Sequence, residues 1–444
     1  MYVRKIRIRN ARQIRDLTLE LATGDEPRML TVLLGQNGTG KTTLLRSIAA
    51  TLAGSNVTNK LCTADEIRSI GANGPLELTA EVTLAEGSAA SRAYGVQGTN
   101  DHATWSLDGG ESGAFFGYRE QRQGRLAMLG APELDDIRNA SLPGWFVAGY
   151  GVNRSLPAPM ASVSTTLPIL GQLGSLFDSV DHGRLVATNF ADILKDTKGF
   201  ARALRTVLQQ PGLMPGFQSL ELRGRNGVTT AASLVESRRF QIGADRQASK
   251  VPASWLSHGY QSVIALVADV IGRAALAEGA GSVIDPAELR GVLLIDEVDL
   301  HLHPGWQRSV VPALSKAFPR LQIIASTHSP MVIADLRPEQ VVVLEMDDER
   351  GVLASQQGEP GEPPQLLTAA QLLSTYFGVQ SSRAGELRGK LRQLRDLLAM
   401  AGDETTATRT RGQPSKKQQG QIDALRNELL AAGIAEDRWT EASS

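Results

Sequence analysis

The sequence predicts an α/β fold organised around a mixed sheet, and three stretches carry that expectation. An apolar run at residues 29–34 leads into Gly35-Gln36-Asn37-Gly38-Thr39-Gly40-Lys41-Thr42 and then into the helix-like Thr43-Leu44-Leu45-Arg46-Ser47-Ile48. A second apolar run, Gly291-Val292-Leu293-Leu294-Ile295, ends in the acids Asp296 and Glu297, and a third, residues 321–326, ends in Thr327-His328-Ser329-Pro330. Short continuous apolar runs bounded by turn residues mark strands buried on both faces, as in parallel sheets. Open α/β sheets place their ligand chemistry at the carboxyl ends of such strands.

The remaining elements follow in chain order. Ile6 and Ile8 alternate with Lys5, Arg7 and Arg9, which predicts a half-buried strand, and Leu17-Thr18-Leu19-Glu20-Leu21 alternates again and should pair with it. The basic face of the first strand could touch DNA phosphates, but a solvated edge is the default for scattered Lys and Arg. Residues 74–84 form another strand, residues 85–140 read as short strands and loop, and residues 145–150 give a strand closed by Gly151. A Pro/Ser/Thr-rich linker at 156–168 opens an inserted lobe. There Phe190, Ile193, Leu194, Phe200, Leu204, Val207 and Leu208 keep helical spacing, and residues 217–222 and 239–243 read as a small sheet. After a strand at 340–345 the chain becomes Gly- and Pro-rich. Two helical faces follow, Leu387, Leu391, Leu394 and Leu398, then Ile422, Leu425, Leu429 and Leu430, separated by a polar stretch at 405–420. The expected divisions are 1–154, an inserted lobe at 155–250, 251–346, and a helical region at 347–444.

Composition narrows the class. The chain has 444 residues, 42% of them hydrophobic, enough for a large core in two or three domains. Its formal net charge of -1 does not by itself announce a nucleic-acid binder. The single cysteine, Cys62, allows no intrachain disulfide framework and suits a reducing compartment. The first residues lack the apolar core of a signal peptide. The longest apolar stretch, residues 262–276, is interrupted by Asp269 and Arg273, so the expectation is a soluble, cytoplasmic chain with no membrane partner.

Residues 35–42 fit the G-x-x-x-x-G-K-[ST] phosphate-binding loop in its strand–loop–helix context. Glycines let backbone N–H groups curl around phosphate oxygens, and the helix N-terminus adds a favourable dipole. The expected nucleotide contacts are Asn37, Gly38, Thr39, Gly40, Lys41, Thr42 and Thr43. Lys41 reaches the β- and γ-phosphates, and the Thr42 hydroxyl serves Mg²⁺ together with Asp296. Glu297 is the candidate general base that polarises the attacking water. His301 and His303 flank Leu302 like a metal pair, but two ligands make an incomplete site, and a structural role is the preferred reading.

Further residues carry a resemblance. Leu256-Ser257-His258-Gly259-Tyr260-Gln261 resembles the LSGGQ signature of ABC-type ATPases, Asp299 matches their D-loop, and His328 matches their switch histidine. With the phosphate loop and residues 293–297, these lie in family order. The chain therefore resembles a stand-alone ABC-type P-loop ATPase of the OLD, RecF and SMC-like branch, similar to the bacterial AAA family ATPases of Septu-type defence. The resemblance covers about residues 1–345. Long heptads and a nuclease domain are missing, and no clear Q-loop glutamine is found, so Arg154, after the strand at 145–150, is the candidate near the nucleotide. The resemblance implies ATP and Mg²⁺ as cofactors, catalytic roles for Lys41, Glu297 and His328, and a homodimer. In that dimer, ATP on one phosphate loop meets Ser257, Gly259 and Gln261 of the other subunit. It further implies a nucleotide-gated switch in DNA-related processes or anti-phage defence, with DNA and a separate effector, a nuclease, as partners. The alternatives are a nucleotide-binding subunit of a membrane transporter and a scaffold that holds ATP without turnover.

Overall fold

The computed structural model describes residues 1–69, 74–83, 102–109, 116–121, 145–154, 168–178, 195–222, 238–242, 250–277, 283, 285–356, 363–377, 389–394, 397–398 and 416–432. The chain divides into two compact units, Met1–Leu366 and Leu367–Ser444.

In the first unit, strands β1 (Tyr2–Ala11), β2 (Ile14–Glu20) and β3 (Leu30–Gly35) precede helix α1 (Lys41–Ala53). Strands β4 (Leu76–Thr83), β5 (His102–Gly109), β6 (Phe116–Gln121) and β7 (Phe146–Tyr150) come next, followed by helices α2 (Pro168–Gly174) and α3 (Thr197–Leu208). A small antiparallel sheet is made by β8 (Phe217–Leu222), β9 (Arg238–Ile242) and β10 (Lys250–Val251). Helix α4 (His258–Ala277), strand β11 (Gly291–Ile295), helix α5 (Pro304–Ala317) and strands β12 (Leu321–Ser326), β13 (Val341–Asp347) and β14 (Gly351–Gln356) complete the unit.

Two sheets are layered around α1. The central sheet has the order β14-β13-β3-β12-β11-β7. Its neighbours run parallel except for β14, which returns antiparallel along β13. The sequence reading had no strand at β14 and began its last region at residue 347. The mixed polarity expected from sequence is thus a parallel sheet with one antiparallel edge. The other sheet is fully antiparallel, in the order β2-β1-β4-β5-β6. The paired β1 and β2 keep the predicted faces, with Ile6 opposite Leu19 and Ile8 opposite Leu17, all buried. Leu44, Leu45 and Ile48 of α1 share one core with Ile6 and Ile8 of β1 and with Leu294 of β11. Helix α1 buries Leu44, Leu45, Ile48 and residues 49–53 between the layers, while Thr42, Thr43 and Arg46 stay partly exposed.

The basic face of β1 is charge-balanced. Lys5 pairs with Glu20 at 2.6 Å, Arg7 with Asp16 at 2.8 Å, and Arg9 with both Asp16 and Glu77 at 3.1 Å. Helix α4 is the one helix among the described residues with the length and hydropathy to cross a bilayer, and 78% of its apolar window is buried inside the fold. Its two charges neutralise each other: Arg273 Nε donates to Asp269 Oδ2 at 2.7 Å, and Tyr150 Oη donates to the same oxygen at 3.0 Å. The helix predicted across residues 190–209 begins at Thr197, where Asp196 accepts from Gly199 N–H at 2.7 Å as an N-cap. Phe190, Ile193 and Leu194, with the linker up to residue 167, lie outside the described residues.

The second unit contains helices α6 (Ala369–Phe377) and α7 (Lys416–Ala431). Leu391, Leu394 and Leu398 pack with Ile422, Leu425 and Leu429, as their spacing predicts. Leu430 departs from that reading and is 46% exposed, because it follows Leu429 by one residue, about 100° around the helix. Leu387 lies outside the described residues.

The layered core gives a direct stability expectation. Leu294→Ala, at a fully buried β11 position, should cost about 2–5 kcal/mol, read from the shift in denaturant midpoint of the full chain.

Candidate functional site

The site follows from strand order. Strand β12 lies between β3 and β11, and all three run parallel. Ile295 pairs with Ala325 and Ser326 with Leu33, so three carboxyl ends meet at one level of one sheet edge. The loop after β3 carries Lys41, the loop after β11 carries Asp296 and Glu297, and the loop after β12 carries His328. They line a cleft of about 480 Å³ together with Gln13, Asn37, Gly38, Gly40, Thr42 and Thr43.

Each side chain is held by its local environment. Gly38 has φ 83°, a conformation that disfavours side chains, and a Cβ there would meet nothing within 4 Å. Conformation rather than crowding therefore calls for glycine at this loop tip. Helix α1 starts without a side-chain cap and with no acid in its first turn, so its amino end is left for an anion. Thr39 is buried beneath the loop and donates to the Gln36 carbonyl at 2.8 Å. Lys41 Nζ donates to the carbonyls of Gly35 at 2.7 Å and Gln36 at 2.9 Å. Burial lowers the Lys41 pKa from its ordinary value, and Asp296, Glu297 and Asp299 pull the other way.

Thr42 Oγ1 donates to Asp296 Oδ2 at 2.7 Å, and Ser326 Oγ donates to Asp296 Oδ1. A hydroxyl beside a carboxylate is an all-oxygen pair, suited to a hard cation such as Mg²⁺, which takes few protein ligands and completes its shell with water and phosphate. Among the described residues there is no cluster of three or more His, Cys, Asp or Glu able to hold a metal, and a Mg²⁺ site of this kind does not need one.

Glu297 is a non-glycine residue in the left-handed region, with φ 45°. Its N–H donates to Ser326 Oγ at 2.8 Å and its carboxylate stands 4.0 Å from His328 Nε2. The His328 pKa is lowered first by burial and then by Lys41, against the opposing pull of the three acids, which favours the neutral imidazole. Asp299 sits one step back, accepting from Thr327 Oγ1.

The other predicted residues are placed elsewhere. Ser257, Gly259 and Gln261 are not on the cleft wall. Ser257 immediately precedes α4 and Gly259 and Gln261 lie in its first turn, where Gln261 Nε2 donates to the Leu256 carbonyl at 2.6 Å. Gly259 is a close-approach position, since a Cβ there would come within 2.7 Å of the His301 carbonyl. His303 Nδ1 accepts from Gly305 N–H at 3.3 Å and caps α5, a structural use. His301 faces His258, with ring centroids 5.9 Å apart.

Arg154 lies next to the acidic strand end. It is 5% exposed and lies behind the strand ends rather than on the cleft wall. Its guanidinium donates to the carbonyls of Gly151 at 2.8 Å, Glu297 at 2.6 Å and Asp296, and to Ser262 Oγ at 3.3 Å. Carbonyls left over where strands end need donors, and Arg154 supplies them. Burial pushes its pKa down to about 10, so the group stays charged at neutral pH. Gln13, on the turn between β1 and β2, was missed. Nothing in a turn between alternating strands signals that the second sheet brings it to this cleft.

Two protein-family profiles match the chain. One, described as "AAA domain, putative AbiEii toxin, Type IV TA system", covers residues 213–334, and one described as "AAA domain" covers residues 5–96. The "Retron Vc95 probable ATPase" of Vibrio cholerae serotype O1 biovar El Tor is 38% identical over 115 residues, 26% of this chain and 22% of that protein. The "Septu protein PtuA" of Bacillus mycoides (strain KBAB4) is 25% identical over 360 residues, 80% of this chain and 42% of that protein. The chain thus spans less than half the length of these curated relatives. A solved SMC head, bound to the C-winged helix domain of ScpA, superposes with a TM-score of 0.51 at 14% identity, covering 81% of this chain and 99% of that one, a likeness of fold.

The charge arrangement gives a titration expectation. His328 should titrate below its ordinary 6.5. Lys41→Ala removes a cation that opposes the imidazolium and should raise the midpoint, whereas Glu297→Gln removes an anion that favours it and should lower the midpoint further. Histidine ring NMR across pH 4–8 reads both shifts, and equal midpoints in the three proteins would contradict the arrangement.

Proposed function

Proceeding from a chain related to the P-loop AAA ATPases of Septu and retron systems and built on the fold of an SMC head, we propose that it binds and hydrolyses ATP in the cleft at the ends of β3, β12 and β11. The observation that carries this reading is the contact between Thr42 Oγ1 and Asp296 Oδ2, two residues 254 positions apart that meet beside Lys41.

The chemistry divides among residues already in place. The loop at 35–42 and the first turn of α1 receive the phosphates through backbone N–H groups. Lys41 exchanges its two carbonyl partners for phosphate oxygens, a gain in charge complementarity. Thr42 and Asp296 would hold Mg²⁺, which when bound neutralises charge on the transferring phosphoryl group. Glu297 accepts a proton from the water that attacks the γ-phosphorus, while the bond to the β-phosphate oxygen breaks and ADP leaves with that electron pair. His328, in the loop after the strand between the two halves, donates a hydrogen bond toward the γ-phosphate and registers its loss.

Ser257, Gly259 and Gln261 stand at the start of another helix, off the cleft wall, and the resemblance to the ABC-type signature supports their serving a second copy of the chain. ATP then joins two subunits, with hydrolysis releasing them, a nucleotide-gated switch. The Septu and retron relationship supports a role in defence with a separate partner protein, and we propose that this effector is a nuclease. DNA is retained as a partner of that assembly. The neutralised face of β1 does not favour that strand as the contact surface.

Phosphate release and nucleotide calorimetry test the reading. Lys41→Ala should weaken ATP binding at least about tenfold, whereas Glu297→Gln should bind ATP normally and turn over about a hundredfold more slowly. Chelation by EDTA should abolish turnover. Light scattering of Glu297→Gln should give a dimer with ATP and a monomer without it. Full activity in Glu297→Gln would remove the general base from this scheme.

A further inference from the structure

We propose that Arg154 is a positioning residue that clamps the main chain of Glu297 and ties it to helix α4. The inference rests on the reading of Glu297 as general base.

Glu297 occupies the left-handed region, which residues bearing a Cβ rarely adopt and which persists only when the surroundings over-determine it. Two contacts do so. Ser326 Oγ accepts the Glu297 N–H at 2.8 Å, and Arg154 Nη2 donates to the Glu297 carbonyl at 2.6 Å. Arg154 Nη1 holds the preceding carbonyl, that of Asp296, and also the carbonyl of Gly151 at 2.8 Å. One planar fork therefore fixes two successive peptide units together with the residue just after β7. A lysine, a point charge on a flexible stem, cannot span this set.

The third arm leaves the strands. Arg154 Nε donates to Ser262 Oγ at 3.3 Å, and Ser262 is in the second turn of α4, which begins one residue after Ser257. A second tie runs parallel to it. Tyr150 Oη donates to Asp269 of α4, and the Tyr150 carbonyl accepts the Asp296 N–H at 2.8 Å. The helix that starts just after Ser257 and carries Gly259 is thus bolted to both residues that follow β11. Displacement of the α4 amino end by a second subunit is transmitted through Arg154 to the aim of the Glu297 carboxylate. Arg154 lies off the cleft wall, so its effect reaches turnover through Glu297 and not through contact with nucleotide.

The test is steady-state ATP hydrolysis with calorimetric ATP binding on the full chain. Arg154→Met should lower kcat at least about tenfold while KM and Kd for ATP stay within about threefold, and Arg154→Lys should recover part of kcat. Arg154→Met combined with Glu297→Gln should be no slower than Glu297→Gln alone, because both act on one group. Ser262→Ala, which cuts only the tie to α4, should lower kcat by a smaller factor with Kd unchanged. A raised KM with unchanged kcat, or losses that multiply in the double variant, would overturn the clamp. Should Arg154→Met fail to fold, Arg154→Lys and Ser262→Ala carry the same split between kcat and Kd. A wild-type chain without turnover overturns the general-base reading beneath the clamp. A wild-type chain that turns over, matched by an unimpaired Arg154→Met, overturns the clamp alone.

Discussion

Three parallel strands held in register are what the rest of the molecule depends on. Because β12 lies between β3 and β11, the phosphate loop and the acidic strand end are two strand spacings apart, roughly 10 Å. The loop side chains close that span, and Thr42 reaches Asp296 directly. The same order puts His328 between Lys41 and Glu297, where it feels both charges. A slip of one residue in either pairing would shift one strand end along its neighbour by about 3.3 Å and turn its side chains to the opposite face, which would break the cleft.

Polar groups at this edge are satisfied by one another, which keeps the cleft in shape. Ser326 serves as donor to Asp296 and acceptor for Glu297 N–H. Thr327 holds Asp299, and Ser329 accepts the N–H of Met331 and donates to Gln307. Behind the edge, Arg154 and the group formed by Asp269, Arg273 and Tyr150 place charge in the interior only where partners are supplied. Breaking such a pair leaves an uncompensated buried charge, so these contacts define a geometry more than they add stability.

The chain presents its chemistry in two separate places. The cleft gathers Lys41, Thr42, Asp296, Glu297 and His328, while the start of α4 offers Ser257 and a glycine packed against the His301 carbonyl. Helix α4 spans the two through Ser262 and Asp269, and its apolar length is consumed by packing in the core.

The sequence by itself determined the strand–loop–helix at 30–53, the buried strands before Asp296 and His328, the paired faces of β1 and β2, and the leucine faces of the second unit. These follow from local pattern, where backbone geometry repeats every two or 3.6 residues and a motif carries its own spacing. Tertiary structure decided the rest. It placed Gln13 at the cleft, balanced Lys5, Arg7 and Arg9 with carboxylates, added β14 to the sheet edge, and turned Leu430 outward. It also set Arg154 against the strand-end carbonyls of Gly151, Asp296 and Glu297. Such assignments depend on which backbone groups are left without partners once distant segments meet, a property of the assembled fold and not of any stretch of chain.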